Sequence, residues 1–369
     1  MPACPATSAL CGRRERTAEG GLGAVWPNPA VGCVILGAGR IVGRGWTQPG
    51  GRPHGETEAL ARAGAAARGA TAYVSLEPCC HWGRTPPCTE ALIAAGIARV
   101  VLPVEDPDPR VCGQGVARLR AAGIVVATGL CAAEAAEINA GFFLRVREGR
   151  PLVTLKLATT IDGRIATHTG ESRWITGAAA RARAHALRAS HDAVMVGVGT
   201  ALADDPLLTC RLPGLAHRSP VRLVVDSRLR LPLTSRLVAG AREAPTWVLT
   251  RHGGEAARAA AFRGCGVDLV ELPGGGGAGV DLAAALAALG QRGLTRVLVE
   301  GGGQLAAALL AAGLVDRLAW FRAPALIGGD GIAAIAGFGL DRLAAAPRFE
   351  RTDIAELGDD VLETYRRLP

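Results

Sequence analysis

His54 and Glu56 stand two residues apart in P-H-G-E at 53–56, and Cys79 and Cys88 follow as P-C-x8-C. Together they offer one imidazole, two thiolates and a free carboxylate. Three protein ligands leave the fourth tetrahedral position of a zinc ion to water, whose pKa falls toward neutrality on the metal. Two thiolates offset the charge of the ion, which keeps that oxygen nucleophilic. Glu56 is too near His54 in sequence to share the metal easily, but it can reach the water and carry protons. The order His-x-Glu then Pro-Cys favours a hydrolytic metal centre over reduced core cysteines and a surface histidine. Cys80, on the opposite side of the strand end from Cys79, reads as a neighbour only.

A second group of chemical residues lies in the other half of the chain. Lys156, the only lysine, sits between two leucines of a strand-like run. A buried, isolated ammonium is costly unless an anion answers it. Glu300, ending another strand, is the natural partner. Gly301-Gly302-Gly303 follows that strand and opens a helix, a backbone N–H nest suited to pyrophosphate. Gly197-Val198-Gly199-Thr200 repeats the logic after a second strand. Asp226-Ser227-Arg228 ends a third, where Ser227 and Arg228 could accept a ribose 2′-phosphate. No residue here reads as a strong acid or nucleophile, which fits hydride chemistry carried by a cofactor.

The elements that must position these residues alternate in type. In the first half the pattern predicts a hairpin over 30–48 and a helix over 56–68. Strand 71–76, helix 89–95, strand 98–104, helix 114–122 and strand 124–128 follow, then one helix over 132–146. A polar break at 147–151 is the candidate linker, giving domains 1–148 and 151–369. The second half alternates again: strand 152–157, helix 178–189, strands 193–198, 221–225 and 246–249, helix 281–290, strand 296–300 and a helix from Gln304. Segments 317–322 and 359–365 read as antiparallel edge strands, and glycines 274–277 as a surface loop. Such βαβ rhythm implies α/β domains with sites at the strand ends. Residues 12–21 look too polar to bury a helical face. Glu58 adds a second carboxylate near the expected metal.

With 369 residues the chain exceeds one ordinary core. Arginine supplies every cation but one, alongside abundant Ala and Gly, so the formal charge of +8 reads as compositional bias, not a nucleic-acid face. Two Tyr, six Phe and six Trp leave few platforms for stacking bases. No apolar run has membrane-spanning length and no small disulfide framework appears, so the expectation is a cytoplasmic enzyme. A homodimer is expected, because strand 317–322 at a sheet edge would expose apolar residues.

The motifs P-N-P-A-V-G-C-V-I at 27–35, P-H-G-E at 53–56 and E-P-C-C-H-W-G-R-T-P-P-C at 77–88 resemble the deaminase half of the bifunctional riboflavin-biosynthesis deaminase–reductases. The eight-residue gap between the thiolates separates this pattern from the short C-x-x-C of cytidine and tRNA-adenosine deaminases. L-K-L-A-T-T-I-D-G-R at 155–164, G-E-S-R-W-I-T at 170–176, L-A-D-D-P-L-L-T at 202–209 and V-E-G-G-G at 299–303 are similar to the reductase half. The resemblance runs from Gly23 onward. It implies a three-layer α/β/α cytidine-deaminase-like domain followed by a dihydrofolate-reductase-like α/β domain.

The resemblance further implies Zn2+ on His54, Cys79 and Cys88, with Glu56 as proton shuttle, as in other zinc-dependent base deaminases. Asn28, His81, Arg84 and Asp106 match positions that contact the pyrimidine substrate. Lys156, Ser172, Arg188, Leu208, Arg211 and Glu300 match substrate positions of the reductase. Arg188 and Arg211 would hold a ribose 5-phosphate between them. Ala158, Trp174, Thr200, Asp204, Ser227, Gly301, Gly302 and Gly303 match positions for NADPH. The implied partner is a phosphorylated pyrimidine, with no nucleic acid and no membrane. Two rivals remain: a nucleoside or tRNA-base deaminase with an accessory binding domain, and a structural zinc module closed by four ligands.

Overall fold

The computed structural model describes residues 5–274 and 279–368, with side chains from Gly12 onward. Most of the glycine run expected as a loop, residues 275–277, lies outside the described residues. The chain divides into two compact units, residues 1–149 and 150–369.

The first unit runs α1 (Pro5–Glu19), β1 (Gly32–Gly37), β2 (Arg40–Trp46), α2 (Gly55–Ala63) and β3 (Thr71–Val74). It continues with α3 (Cys88–Ala94), β4 (Arg99–Val101), α4 (Gln114–Ala121), β5 (Val125–Ala127), α5 (Ala132–Ile138) and α6 (Ala140–Glu148). Its sheet has the order β2-β1-β3-β4-β5, antiparallel through the hairpin and parallel from β3 onward. Ile35, Val74 and Val100 of the sheet pack with Ala59 of α2, Leu92 of α3 and Leu119 of α4 in one apolar core.

Close approach sets the start of α2, which carries the His54–Glu56 pair. A Cβ on Gly45 of β2 would lie 2.2 Å from the Gly55 carbonyl oxygen, and one on Gly55 would lie 2.5 Å from that of Val31. Only glycine at both positions lets the helix sit this low on the hairpin.

Two expectations fail in this unit. Residues 12–19 do bury a helical face: Arg14 and Ala18 are fully buried and Glu15 nearly so. Their polarity is answered internally, since Arg14 donates to Glu15 Oε1 at 2.9 Å, to the Leu130 carbonyl at 2.7 Å and to that of Val101. The single helix expected over 132–146 is broken at Asn139. That side chain is buried and committed to Ala30, accepting from its N–H at 3.0 Å and donating to its carbonyl at 3.1 Å.

The second unit opens with β6 (Leu152–Thr160), β7 (Arg164–Ala166), α7 (Ala178–Ala189), β8 (Ala193–Gly197) and α8 (Val198–Asp204). Next come β9 (Val221–Val225), α9 (Arg236–Ala239), β10 (Thr246–Arg251), α10 (Ala256–Gly264), β11 (Asp268–Leu272) and α11 (Leu282–Gln291). It closes with β12 (Arg296–Val299), α12 (Gly303–Ala311), β13 (Arg317–Ala323), β14 (Ile332–Ala333), β15 (Phe349–Leu357) and β16 (Asp360–Arg367).

Nine strands form one sheet in the order β11-β10-β9-β8-β12-β6-β13-β16-β15. From β11 to β13 neighbours are parallel, while β16 and β15 are antiparallel additions. Alternate residues Val194, Val196, Val224 and Val248 pack with Phe262 of α10, and Ala180 of α7 packs with Ala319, Phe321 and Leu362.

The assignment of 317–322 and 359–365 as edge strands is wrong, since β16 too lies between two neighbours, β13 and β15. β13 is paired on both sides, parallel to β6 and antiparallel to β16, because the longer strand β15, unread in the sequence, extends the sheet beyond it. The argument for a homodimer from that edge therefore falls. The true edge, β15, is largely polar and exposed, as edge strands of soluble sheets tend to be.

Candidate active sites

In the first unit the β3–α3 loop and the start of α2 converge on one point. The ligand atoms of His54, Cys79 and Cys88 all lie within 4.8 Å of one another. His54 Nδ1 is 3.3 Å from Cys88 Sγ and 3.6 Å from Cys79 Sγ. The Cys88 backbone N–H, first in α3, donates to Cys79 Sγ at 3.4 Å. Hydrogen bonding from Cys88, with further help from His54, takes the Cys79 thiol down to about 4. Soft donors at these separations fit a tetrahedral zinc ion. Among the described residues this is the one such group, and no fourth protein ligand closes it. Cys80 turns away, its thiol directed at the Arg110 carbonyl.

Glu56 lies on the first turn of α2 and is 2% exposed. Its Oε2 is buried without a protein partner, and burial raises its carboxyl to about 7. A carboxyl balanced near neutrality can both take and give a proton. Glu58 points elsewhere, pairing with Arg62 at 3.3 Å.

Other expected residues surround this centre unevenly. Asn28 donates to the Gly51 carbonyl at 2.9 Å, holding the loop before α2. His81 is half-buried with its Nδ1 unpartnered, whereas Arg84 is exposed further along the same insert. Asp106 is 6% exposed, and burial raises its carboxyl to about 7.

In the second unit a cleft of about 510 Å³ opens at the carboxyl ends of the parallel strands. It gathers Lys156, Ala158, Ser172, Trp174, Arg188, Thr200, Asp204, Leu208, Arg211 and Glu300. Glu300 takes Arg188 in a two-pronged pair, with Nη2 at 2.9 Å from Oε2, and lies 4.0 Å from Lys156 Nζ. Burial lowers the Lys156 ammonium pKa, and Glu300 partly offsets that. Lys156 Nζ also lies over the Phe321 ring, 5.7 Å from its centre.

Gly301, Gly302 and Gly303 are not among the cleft walls. They form the β12–α12 turn, and Gly302 has φ 88°. A Cβ there would sit 3.1 Å from Thr200 Oγ1, so the turn leaves a shallow cradle beside α8 that a side chain would fill. That shape fits the phosphates of a dinucleotide. Ser227 follows β9, next to β8 in the sheet, and does not reach the cleft wall.

Residues 151–362 match the family described as "RibD C-terminal domain", and residues 21–104 match "Cytidine and deoxycytidylate deaminase zinc-binding region". The chain belongs to the RibD family. It is 43% identical over 365 residues to the riboflavin biosynthesis protein RibD of Escherichia coli (strain K12), covering 95% of this chain and 96% of that protein. RibD of Aquifex aeolicus is 41% identical over 341 residues, covering 92% and 93%. Among solved structures, Acinetobacter baumannii RibD (form 1) superposes with a TM-score of 0.87 at 37% identity, covering 98% of this chain and 99% of that one. A Thermotoga maritima protein, diaminohydroxyphosphoribosylaminopyrimidine deaminase/5-amino-6-(5-phosphoribosylamino)uracil reductase, gives 0.85 at 33% identity and 98% of both chains.

As a member of that family, the chain is a bifunctional deaminase and reductase of riboflavin biosynthesis. A cytidine-deaminase-like unit precedes the RibD reductase unit, and the two imply zinc in the first and a nicotinamide cofactor in the second. Among the described residues no helix is long and apolar enough to cross a membrane.

Two residues matter here that no sequence motif marks. Glu77 is 3% exposed and its carboxylate accepts three backbone N–H groups: Asp106 at 3.1 Å, Gly113 at 3.0 Å and Val116 at 2.9 Å. It ties the Cys79 turn to the loop carrying Asp106. The only sequence signal was its place before Pro78-Cys79. Arg236, opening α9, lines the reductase cleft from far outside any motif.

Proposed function

We propose that the first unit hydrolytically deaminates 2,5-diamino-6-(5-phosphoribosylamino)pyrimidin-4-one and that the second reduces the ribosyl group of the product to ribityl with NADPH. The two named activities of the Thermotoga relative support this pair of substrates. The observation that carries the reading is the open three-ligand centre with the buried Glu56 beside it, one of whose carboxyl oxygens has no protein partner.

Zinc, held by His54, Cys79 and Cys88, would supply the activated water. Glu56 then relays protons, first to the pyrimidine ring nitrogen and then to the departing amine. A positioned acid–base of this kind contributes roughly 10²–10⁴-fold. Asn28, His81, Arg84 and Asp106 orient the base and its phosphoribosyl arm.

In the second unit NADPH supplies the hydride. Gly301 to Gly303 and Thr200 cradle its phosphates, while Ala158, Trp174 and Asp204 line its path. Ser227 with Arg228 selects the 2′-phosphate, hence NADPH over NADH. Lys156, Ser172, Arg188, Leu208, Arg211 and Glu300 hold the substrate.

The test is Glu56→Gln with the diaminopyrimidinone substrate. Ammonia release falls by at least 10²-fold, while NADPH oxidation on the deaminated intermediate continues at the wild-type rate. Equal loss of both activities overturns the division of labour.

A further inference from the structure

The motif L-K-L-A-T-T-I-D-G-R contains a carboxylate with no part in the chemistry above. Asp162 sits half-buried in the turn between β6 and β7. Its Oδ2 accepts the Gly328 N–H at 2.7 Å and that of Ile327 at 3.2 Å, while Oδ1 accepts the Thr160 hydroxyl. Hydrogen bonding from Thr160, then from Gly328, lowers the pKa of this carboxyl, so the donors meet a full negative charge.

Asp162 thereby anchors the start of a strap, residues 327–336, whose other end reaches the β12–α12 turn. Along the way Arg164 Nη1 donates to the Gly331 carbonyl at 3.3 Å, and Ile332 and Ala333 pair with β7. The Ala334 N–H donates to the Gly163 carbonyl at 3.1 Å. At the far end the Ala336 N–H donates to the Gly303 carbonyl at 3.0 Å. A Cβ on Gly303 would lie 2.9 Å from the Ala333 carbonyl oxygen, so strap and turn are in direct contact. Three successive glycines do not fix a turn by themselves, because glycine loses more backbone freedom on ordering than any other residue. The shape of this one is set from outside, by Thr200 at Gly301 and Gly302 and by the strap at Gly303.

We propose that Asp162 is a positioning residue for the nicotinamide cofactor: by tying the 327–336 strap to the β6–β7 turn, it holds the Gly301–Gly303 cradle in the shape that accepts the phosphates. The proposal rests on the reading of that turn as the cofactor cradle. The hydrogen bond between strap and turn runs from backbone to backbone, so a substitution reaches it through the anchor. Releasing the anchor lowers the fraction of molecules whose cradle is formed before binding, and the apparent affinity falls by that fraction.

The experiment is a fluorescence titration with NADPH of wild type, Asp162→Ala, Asp162→Asn and Gly302→Ala, beside steady-state NADPH oxidation. In Asp162→Ala the Kd for NADPH rises roughly 5- to 30-fold, the reciprocal of the fraction that keeps its cradle formed. KM for NADPH follows it, while kcat at saturating NADPH and KM for the pyrimidine change less than roughly threefold. Asp162→Asn recovers most of the affinity. Its carbonyl oxygen still accepts from Gly328, and its NH2 donates to Thr160 Oγ1, whose own proton turns to the Arg164 carbonyl at 3.4 Å. An unchanged Kd in Asp162→Ala, with Gly302→Ala weakened, overturns the proposal alone. A loss spread evenly over kcat and both KM values overturns it too, since that marks a generally loosened unit. Failure of the underlying reading shows separately: Gly302→Ala would then bind NADPH as tightly as wild type, and the proposal would fall with the cradle.

Discussion

Replacing Glu77 by Gln removes one carboxylate oxygen from a clamp that has no slack. Oε2 accepts two N–H groups, from Asp106 and Gly113, and Oε1 accepts that of Val116. An amide fits with least damage when its NH2 faces Val116, which sacrifices one bond to a charged acceptor, about 2 kcal/mol. Setting an N–H against an N–H adds about 1 kcal/mol, while the neutral amide is cheaper to bury, so the net is about 2 kcal/mol. For a unit of about 150 residues this lowers its Tm by roughly 6 °C. The loop bearing Asp106 then loosens, so KM for the pyrimidine rises and ammonia release slows, with NADPH oxidation untouched. Differential scanning calorimetry and the two separate assays read these effects. Gly115→Ala probes the same clamp independently, because its Cβ would lie 2.3 Å from the Pro78 carbonyl oxygen. An unshifted first-unit transition in Glu77→Gln, or parallel loss of both activities, would refute the reasoning.

Two further outcomes follow from buried groups of the second unit. His191 is held neutral, its Nδ1 at 2.7 Å from the Leu187 carbonyl and Nε2 at 2.9 Å from Thr154 Oγ1, and burial takes its pKa from the usual 6.5 down to about 4. The unfolded chain therefore binds the proton first, and stability present above pH 6.5 drains away as pH falls toward 4. Between pH 7 and pH 5 this amounts to about 2 kcal/mol, so urea midpoints of wild type should fall with acid more steeply than those of His191→Gln; parallel curves would disprove it. Gly302→Ala forces a side chain into φ 88° and against Thr200, a cost of about 1–3 kcal/mol, so nicotinamide binding weakens about 10-fold or more by fluorescence titration. Unaltered affinity would remove the cofactor from that cradle.

The amino-acid order by itself determined the chemistry of the first centre. His54, Glu56, Cys79 and Cys88 were legible because metal ligation demands particular atom types, and few spacings deliver them from a strand end and a helix start. The strands and helices around them were legible for a similar reason, since apolar periodicity is local. Lys156 and Glu300 stood out as charges on apolar strands, and the structure joins them across two neighbouring strands of one sheet.

Tertiary structure alone decided which polar groups were already spent. Arg14 looks too polar to bury until the carbonyls of Val101 and Leu130, some ninety and more residues away, are brought to it. β13 reads as an edge until β16 and β15 fold back beside it. Glu77 carries no signature because its meaning lies in its partners, three backbone N–H groups. Composition and spacing specify what a side chain can do, but hydrogen-bond saturation and charge compensation are sums over neighbours, and neighbours exist only once the chain is folded.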